Sequence, residues 1–320
     1  MRRAPILLLA FLLLTGAATV QPSNRLMATA SPAAGPAGTN GAVEIEGGAA
    51  QAAQQGVRQI ATLQPAAVKA PDIPFTDYEF QSEAQLLALA NQSRRQAGAP
   101  PLTLDAGLSQ AARKHALAML AAQQLSHQFD GEPSLPIRLA STTQLQLDQE
   151  GENVALDYDA QHGHEHLMLS PPHRANLLNP AYNVIGLGVV RSGDRLYIVQ
   201  DFGHALPNYS PAQVKERIVA AVNQTRQQAG QTDLDRRDLA AADNDACSMA
   251  QADKLGTAPV RKLAERATVL SYTSLHPETL PTGAAHAIAT RTLHTFSVGA
   301  CYSRTDTYPT GVYWVVLSLE

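Results

Sequence analysis

The sequence predicts an α+β fold, a sheet covered by helices, and three observations carry that expectation. Residues 83–97 and the stretch after Asp105 both set apolar side chains at helical spacing. Residues 185–190 and 196–202 are apolar runs flanking a Ser192-Gly193-Asp194 turn, the pattern of two paired strands. A polar, histidine-bearing segment lies between the helices and the hairpin. Helices and strands of this kind bury their apolar faces on one another, which gives the α+β arrangement.

Residues 1–20 carry Arg2 and Arg3, an apolar run at 6–14 and small residues at 16–18. That layout is a secretory signal peptide whose core is too short to span a bilayer comfortably. It implies a secreted, periplasmic or extracellular chain, attached to a membrane only if the segment stays uncleaved. No cysteine follows the core to carry a lipid anchor. Residues 21–75 are rich in Ala, Gly, Pro, Gln and Thr without apolar period, and read as a disordered linker. The chain is 45% hydrophobic with a net charge of -4, which fits one or two globular domains and gives no basic excess for nucleic acid. Its two cysteines, Cys247 and Cys301, form an even pair in an exported chain and are expected to make one disulfide.

In the first helix Leu86, Leu87, Leu89 and Ala90 share a stripe that ends at Gly98, and Pro100-Pro101 prevents continuation. After an extended Leu102-Thr-Leu104, Asp105 is a good N-cap for a second helix in which Leu108, Ala111, Ala112, His115 and Met119 recur at helical spacing. His115 on that apolar face is expected to be a core histidine bonded to a backbone carbonyl. The helix runs out near Gln124 and leaves His127 on an exposed connection, where function concentrates. Further on, Pro171 and Pro172 hold the backbone ahead of His173, which should open a short helix and present its imidazole to a cleft. His162, His164 and His166 offer another metal-capable group, but read better as a solvated loop before a helix. There is no His-Glu-x-x-His helix, no Gly-x-Ser-x-Gly elbow and no cysteine in the first domain, so no familiar hydrolase constellation is present.

The order Asn91-Gln-Ser-Arg-Arg, Leu102-Thr-Leu-Asp105, Ala111-Ala-Arg-Lys-His115, Ser126-His127, Gly151-Glu152-Asn153, Ser170-Pro-Pro-His-Arg-Ala-Asn-Leu-Leu178, Ile185-Gly-Leu-Gly188 and Gln200-Asp-Phe-Gly203 resembles the bacterial branch of the CAP superfamily. That superfamily is named for cysteine-rich secretory, antigen 5 and pathogenesis-related proteins, and its domain is also called SCP. The resemblance covers residues 82–204 and implies an α-β-α sandwich of three layers with an open cleft. It further implies that His127 and His173 are the cleft histidines, able to hold a divalent metal such as zinc, and that Glu152 is the acid of the Gly-Glu-Asn turn. A second family acid has no match: Leu167 stands at the position of a tryptophan and Ser170 at that of the acid. Glu165 is the nearby substitute.

A repeat extends the pattern. Residues 218–230 restate 86–98, with Asn223 against Asn91 and Gly230 against Gly98. Residues 239–255 parallel 104–120, and 296–301 with 311–316 parallel the hairpin. A degenerate second copy is therefore expected over residues 210–320, lacking the Gly-Glu-Asn, Ser-His and His-Arg-x-Asn segments. The domain division is 76–207 for the first and 208–320 for the second. The expected function is an extracellular binding module for a lipid, cell-envelope or peptide ligand, with a metal-capable His/Glu cleft. The alternative is a zinc-assisted hydrolase of peptides or envelope polymers with Glu152 as base. The missing acid weighs against catalysis.

Overall fold

The computed structural model describes residues 26–29, 43–44 and 78–320. Strands β1 (Leu26–Thr29) and β2 (Val43–Glu44) fall inside the stretch read as a linker. The signal segment and the rest of that linker lie outside the described residues.

The first unit begins with α1 (Phe80–Gln96), which buries Leu86 and Ala90 and gives way to Gly98 at a φ of 74°. Strand β3 (Thr103–Leu104) leads to α2 (Ala106–Ala122), whose first turn is capped by the Asp105 carboxylate accepting from the Leu108 N–H at 2.8 Å. There follow α3 (Leu135–Ala140), β4 (Leu147–Asp157), α4 (Ala160–Leu169), α5 (Pro171–Leu178), β5 (Val184–Ser192) and β6 (Arg195–Ala205).

Two local readings change. Gly151-Glu152-Asn153 lies inside β4 and is not a turn. Residues 162–166 lie inside α4 and are not a loop, because Asp159 caps that helix by accepting from the His162 N–H at 2.9 Å. The proline pair behaves as expected: Pro171 and Pro172 occupy the first turn of α5 after an extended Ser170, and His173 follows them.

The strands lie in the order β3-β5-β6-β4, with β3 parallel to β5 and the other pairs antiparallel. Alternation along each strand sorts two apolar faces. Ile185, Leu187, Val189, Ile198 and Phe202 pack with residues of α1, α4 and α5, while Val154, Val190, Tyr197 and Val199 pack with α2. The unit is thus the three-layer α-β-α sandwich. Helix α2 approaches β5 so closely that a Cβ on Gly186 or Gly188 would meet backbone of Leu108 or Ala112 at 2.2 Å. This is the physical reason for Ile185-Gly-Leu-Gly188.

Arg94 is wholly buried and donates to four carbonyls, of Pro100 (2.6 Å), Leu177, Asn179 and Tyr182 (2.9 Å each). It anchors the exit of α5 to α1.

The second unit runs α6 (Pro211–Gln228), β7 (Asp235–Arg236), α7 (Ala240–Gln251), α8 (Thr257–Ala264), β8 (Thr268–Ser274), α9 (Thr282–Ile288), β9 (Thr295–Ser303) and β10 (Val312–Leu319). Its sheet has the order β2-β1-β8-β10-β9-β7, with β1 on the outer side of β8. Helices cover both faces here too, α6 and α9 on one and α7 and α8 on the other. Cys247 on α7 and Cys301 on β9 form the expected disulfide, which pins helix to sheet. The units touch through Arg304, which donates to the carbonyls of Ala140 and Leu145 at 3.0 and 3.1 Å, and through Thr310, which donates to that of Leu147 at 3.1 Å.

Candidate functional site

Strand β4 is the edge of the first sheet, so side chains along it can be met from both helical layers. Glu152 points to the α2 face and stands directly opposite Asp201 of β6. On the other face, Asn153 donates to the His173 carbonyl and to Gln200 Oε1, both at 3.1 Å. Asn176 donates to the Glu152 carbonyl at 3.1 Å and to Asn153 Oδ1 at 3.0 Å. The Gly-Glu-Asn and His-Arg-x-Asn segments are therefore two halves of one joint that ties α5 to β4. Gly151 belongs to the same joint, since a Cβ there would sit 2.5 Å from the Tyr182 hydroxyl.

The joint brings the sequence-predicted residues together. His127, with a side chain 57% exposed, holds its Nδ1 2.8 Å from Glu152 Oε1. His173 lies close enough to feel its charge: burial lowers the His173 pKa below the ordinary histidine value, and His127 lowers it further. Glu165 is not part of this group. It accepts from Gln161 at 2.7 Å on the exposed side of α4. That departs from the expected cleft role.

Behind Glu152 lies a buried charge network that the sequence reading missed. Arg138 of α3, itself buried, donates to Glu152 Oε2, and its other terminal nitrogen lies 3.2 Å from Glu132. His115 contacts Glu132 through Nδ1 at 2.7 Å and the Ser126 carbonyl through Nε2 at 2.8 Å, so the core-histidine reading holds. Asp201 is wholly buried. Burial holds its carboxyl well above the usual carboxylate range; the neighbouring Glu152 charge pushes the same way, and Arg138 opposes both. Neither Asp201 oxygen has a hydrogen-bond partner among the described residues, so a buried, unpaired carboxyl stands beside Glu152. Its sequence signal was the polar Gln200-Asp201 pair in the middle of an apolar strand.

Both oxygens of Glu152 are thus engaged, one with His127 and one with Arg138. A carboxylate on the Nδ1 of an imidazole fixes its tautomer and leaves Nε2 facing outward, the support that a metal-binding histidine ordinarily has. In this arrangement Glu152 orients His127 and does not itself offer a free oxygen. Two imidazoles supply fewer protein ligands than the three of an ordinary catalytic zinc site. Among the described residues no group of three or more His, Cys, Asp or Glu is arranged to hold a metal. A metal held here would have His127 and His173 as its protein ligands, with water completing the shell, and would not be a three-ligand centre.

The histidine-dense segment is divided by its helix. His164 is buried between α4 and α1, with Nε2 2.8 Å from the Ser93 hydroxyl and Nδ1 without a partner, and burial lowers its pKa. His162 and His166 face solvent.

The cysteine-rich secretory protein (CAP) family model matches residues 87–202, from within α1 to within β6, a span that includes His127, Glu152 and His173. These residues are a CAP-superfamily domain. Over 115 residues the chain is 32% identical to the uncharacterized protein YkwD of Bacillus subtilis (strain 168), covering 35% of this chain and 43% of that one. The chain thus spans less than half the length of this relative. Among solved structures, it is similar to an extracellular protein containing an SCP domain from Bacillus anthracis str. Ames, at 27% identity and a TM-score of 0.36, covering 39% of this chain and 41% of that one. It is also similar to a cysteine-rich secretory protein from Staphylococcus aureus subsp. aureus Mu50, at 20% identity and a TM-score of 0.32, covering 41% and 40%. The CAP match ends before the second unit begins.

Proposed function

We propose that the chain is an exported binding protein whose CAP domain takes a lipid, cell-envelope or peptide ligand at His127 and His173. The observation that carries this reading is the engagement of Glu152 with Arg138 and His127. A carboxylate committed to a guanidinium and an imidazole orients a binding group well, and is a poor general base. Binding is accordingly favoured over a zinc-assisted hydrolase. Export is supported by the signal-like residues 1–20 and by the disulfide, a bond that persists in oxidising compartments.

The two imidazoles would hold a divalent ion such as zinc, which when bound supplies a Lewis-acid position for a ligand oxygen. The chain's own residues do the rest. Glu152 sets the His127 ring, and Asn153 and Asn176 set the helix that carries His173.

The second unit reads as a degenerate copy of the first. Arg226 repeats Arg94, with Nε donating to a carbonyl six residues on (Thr232, 2.8 Å) and its fork reaching the Ile288 and Thr290 carbonyls. The strand order β7-β9-β10-β8 repeats β3-β5-β6-β4 with the same strand directions. The ion pair between the first two helices is repeated with its charges exchanged. Glu83 on α1 meets Arg113 on α2, while Lys215 on α6 meets Asp243 on α7. In each unit the acid of the pair also accepts a strand amide, that of Val189 at 3.3 Å or Ala300 at 3.1 Å. Contacts with residues 140–148 suit this copy to a brace for the segment between Arg138 and Glu152.

The test is calorimetric titration of the purified chain with solubilised envelope fractions and with ZnCl2, using the parent, His173→Ala and Glu152→Gln. Loss in His173→Ala of binding to the envelope fraction, or of one equivalent of zinc, supports the reading. Hydrolysis of peptide or envelope polymer that is abolished by Glu152→Gln would replace it with the enzyme.

A further inference from the structure

The CAP cleft accounts for His127 and His173, but not for the pair left exposed on α4. His162 and His166 are one helical turn apart, which places their Cβ atoms about 5–6 Å from each other on one face. Both side chains are open to solvent, at 58% and 63% exposure. Each ring is held by a carboxylate at Nδ1: His162 by Asp159 at 2.9 Å, and His166 by Asp157 at 2.5 Å.

The two carboxylates are themselves fixed. Asp159 accepts from the His162 N–H at 2.9 Å as the cap of α4, and Asp157 accepts from the Tyr158 N–H at 2.9 Å at the end of β4. The charge of Asp157, which holds His166, also acts on His162, so both rings share one electrostatic neighbourhood. A neutral imidazole that donates Nδ1–H to a carboxylate keeps its lone pair on Nε2. Neither Nε2 has a hydrogen-bond partner among the described residues. Two oriented, outward-facing nitrogen donors one turn apart on a rigid helix are an unfilled half of a coordination sphere.

We propose that His162 and His166 bind a first-row transition-metal ion through their Nε2 atoms, with water completing the shell. Imidazole nitrogen suits copper(II), nickel(II) and zinc, and the Irving–Williams order places copper(II) first among them. Asp157 and Asp159 are positioning residues that set the rings and do not touch the ion. His164, two residues from each of them and turned into the α1 contact, takes no part.

The experiment titrates the whole chain with CuCl2 and with ZnCl2 by calorimetry, and follows the histidine ring resonances by NMR during the zinc titration. To separate this site from the cleft, the background is the double variant His127→Ala/His173→Ala. That background should still bind one ion, and adding His162→Ala or His166→Ala should abolish the binding while circular dichroism stays unchanged. Asp157→Asn should weaken it about 10–100-fold, the loss typical of a removed outer carboxylate. No binding in the cleft-free background would overturn the proposal, as would binding that survives His162→Ala/His166→Ala. Either result leaves the cleft reading standing, because that reading rests on His127 and His173.

Discussion

Replacing Glu150 by Gln should make the protein more resistant to unfolding above pH 7 and leave it unchanged near pH 4. Glu150 sits on β4 two residues before Glu152, with its backbone carbonyl accepting from the Tyr182 hydroxyl at 3.0 Å. Burial pushes its carboxyl from the ordinary 4.5 up to about 7, and the neighbouring Asp148 adds to the rise. Asp148 is held in place by His204 at 2.6 Å and lies 3.2 Å from His276 of the second unit. A raised acid pKa favours the protonated form in the folded state. Its contribution is therefore fully present below the unfolded pKa, and is lost as pH rises through about 7. At about 1.4 kcal/mol per pH unit, the loss reaches roughly 3 kcal/mol, an upper figure because the group is only half-buried. Glutamine keeps the shape and cannot ionise, so it escapes the loss. The assay is urea unfolding of parent and variant from pH 4 to 9 with the disulfide intact. The difference between the two curves isolates Glu150. A difference that is flat with pH, or that moves in the parent's favour as pH rises, would refute the reasoning.

Three further outcomes follow from the packing. Arg94→Met should cost at least about 3 kcal/mol in urea unfolding, because four carbonyls lose one shared donor at a net 1–3 kcal/mol for each buried group left unpaired. Glu152→Ala should destabilise by about 1–3 kcal/mol, since it removes one of the two carboxylates on the buried Arg138 and leaves Glu132 as the other, whereas His173→Ala should stay within about 1 kcal/mol of the parent. Thiol titration of the denatured, unreduced protein should find no free thiol, and reduction should cost at most about 4 kcal/mol for a bridge spanning 54 positions.

Much of this fold was legible because its elements are amphipathic and plainly punctuated. Asp105, Gly98 and the Pro171-Pro172 pair mark helix ends by backbone chemistry alone, and each does so in the structure. The errors have physical causes. Gly151 was read as a turn signal, but its missing side chain makes room for the Tyr182 ring inside a strand. The histidines of α4 gave a polar composition that hid a helix, whose amphipathicity rests on Ala160, Gly163, His164 and Leu167 facing inward.

The cleft was half legible. His127 and His173 sit at element ends, where exposure can be inferred from neighbouring residues. Arg138, Glu132 and Asp201 join them only through tertiary pairing: α3 lies in a stretch without clear pattern, and Asp201 meets Glu152 across a strand register that composition does not encode. Glu165 was near in sequence and wrong in direction, because the turn of α4 carries it out to Gln161.

The claim that His127 and His173 face one another in a single cleft is tested most directly by the His173 ring itself. Its pKa is lowered by burial first and by His127 second. An NMR pH titration of the His173 ring in the parent and in His127→Ala removes the second cause while keeping the first. His173 should titrate at higher pH in the variant, and a value that does not move would contradict the shared cleft.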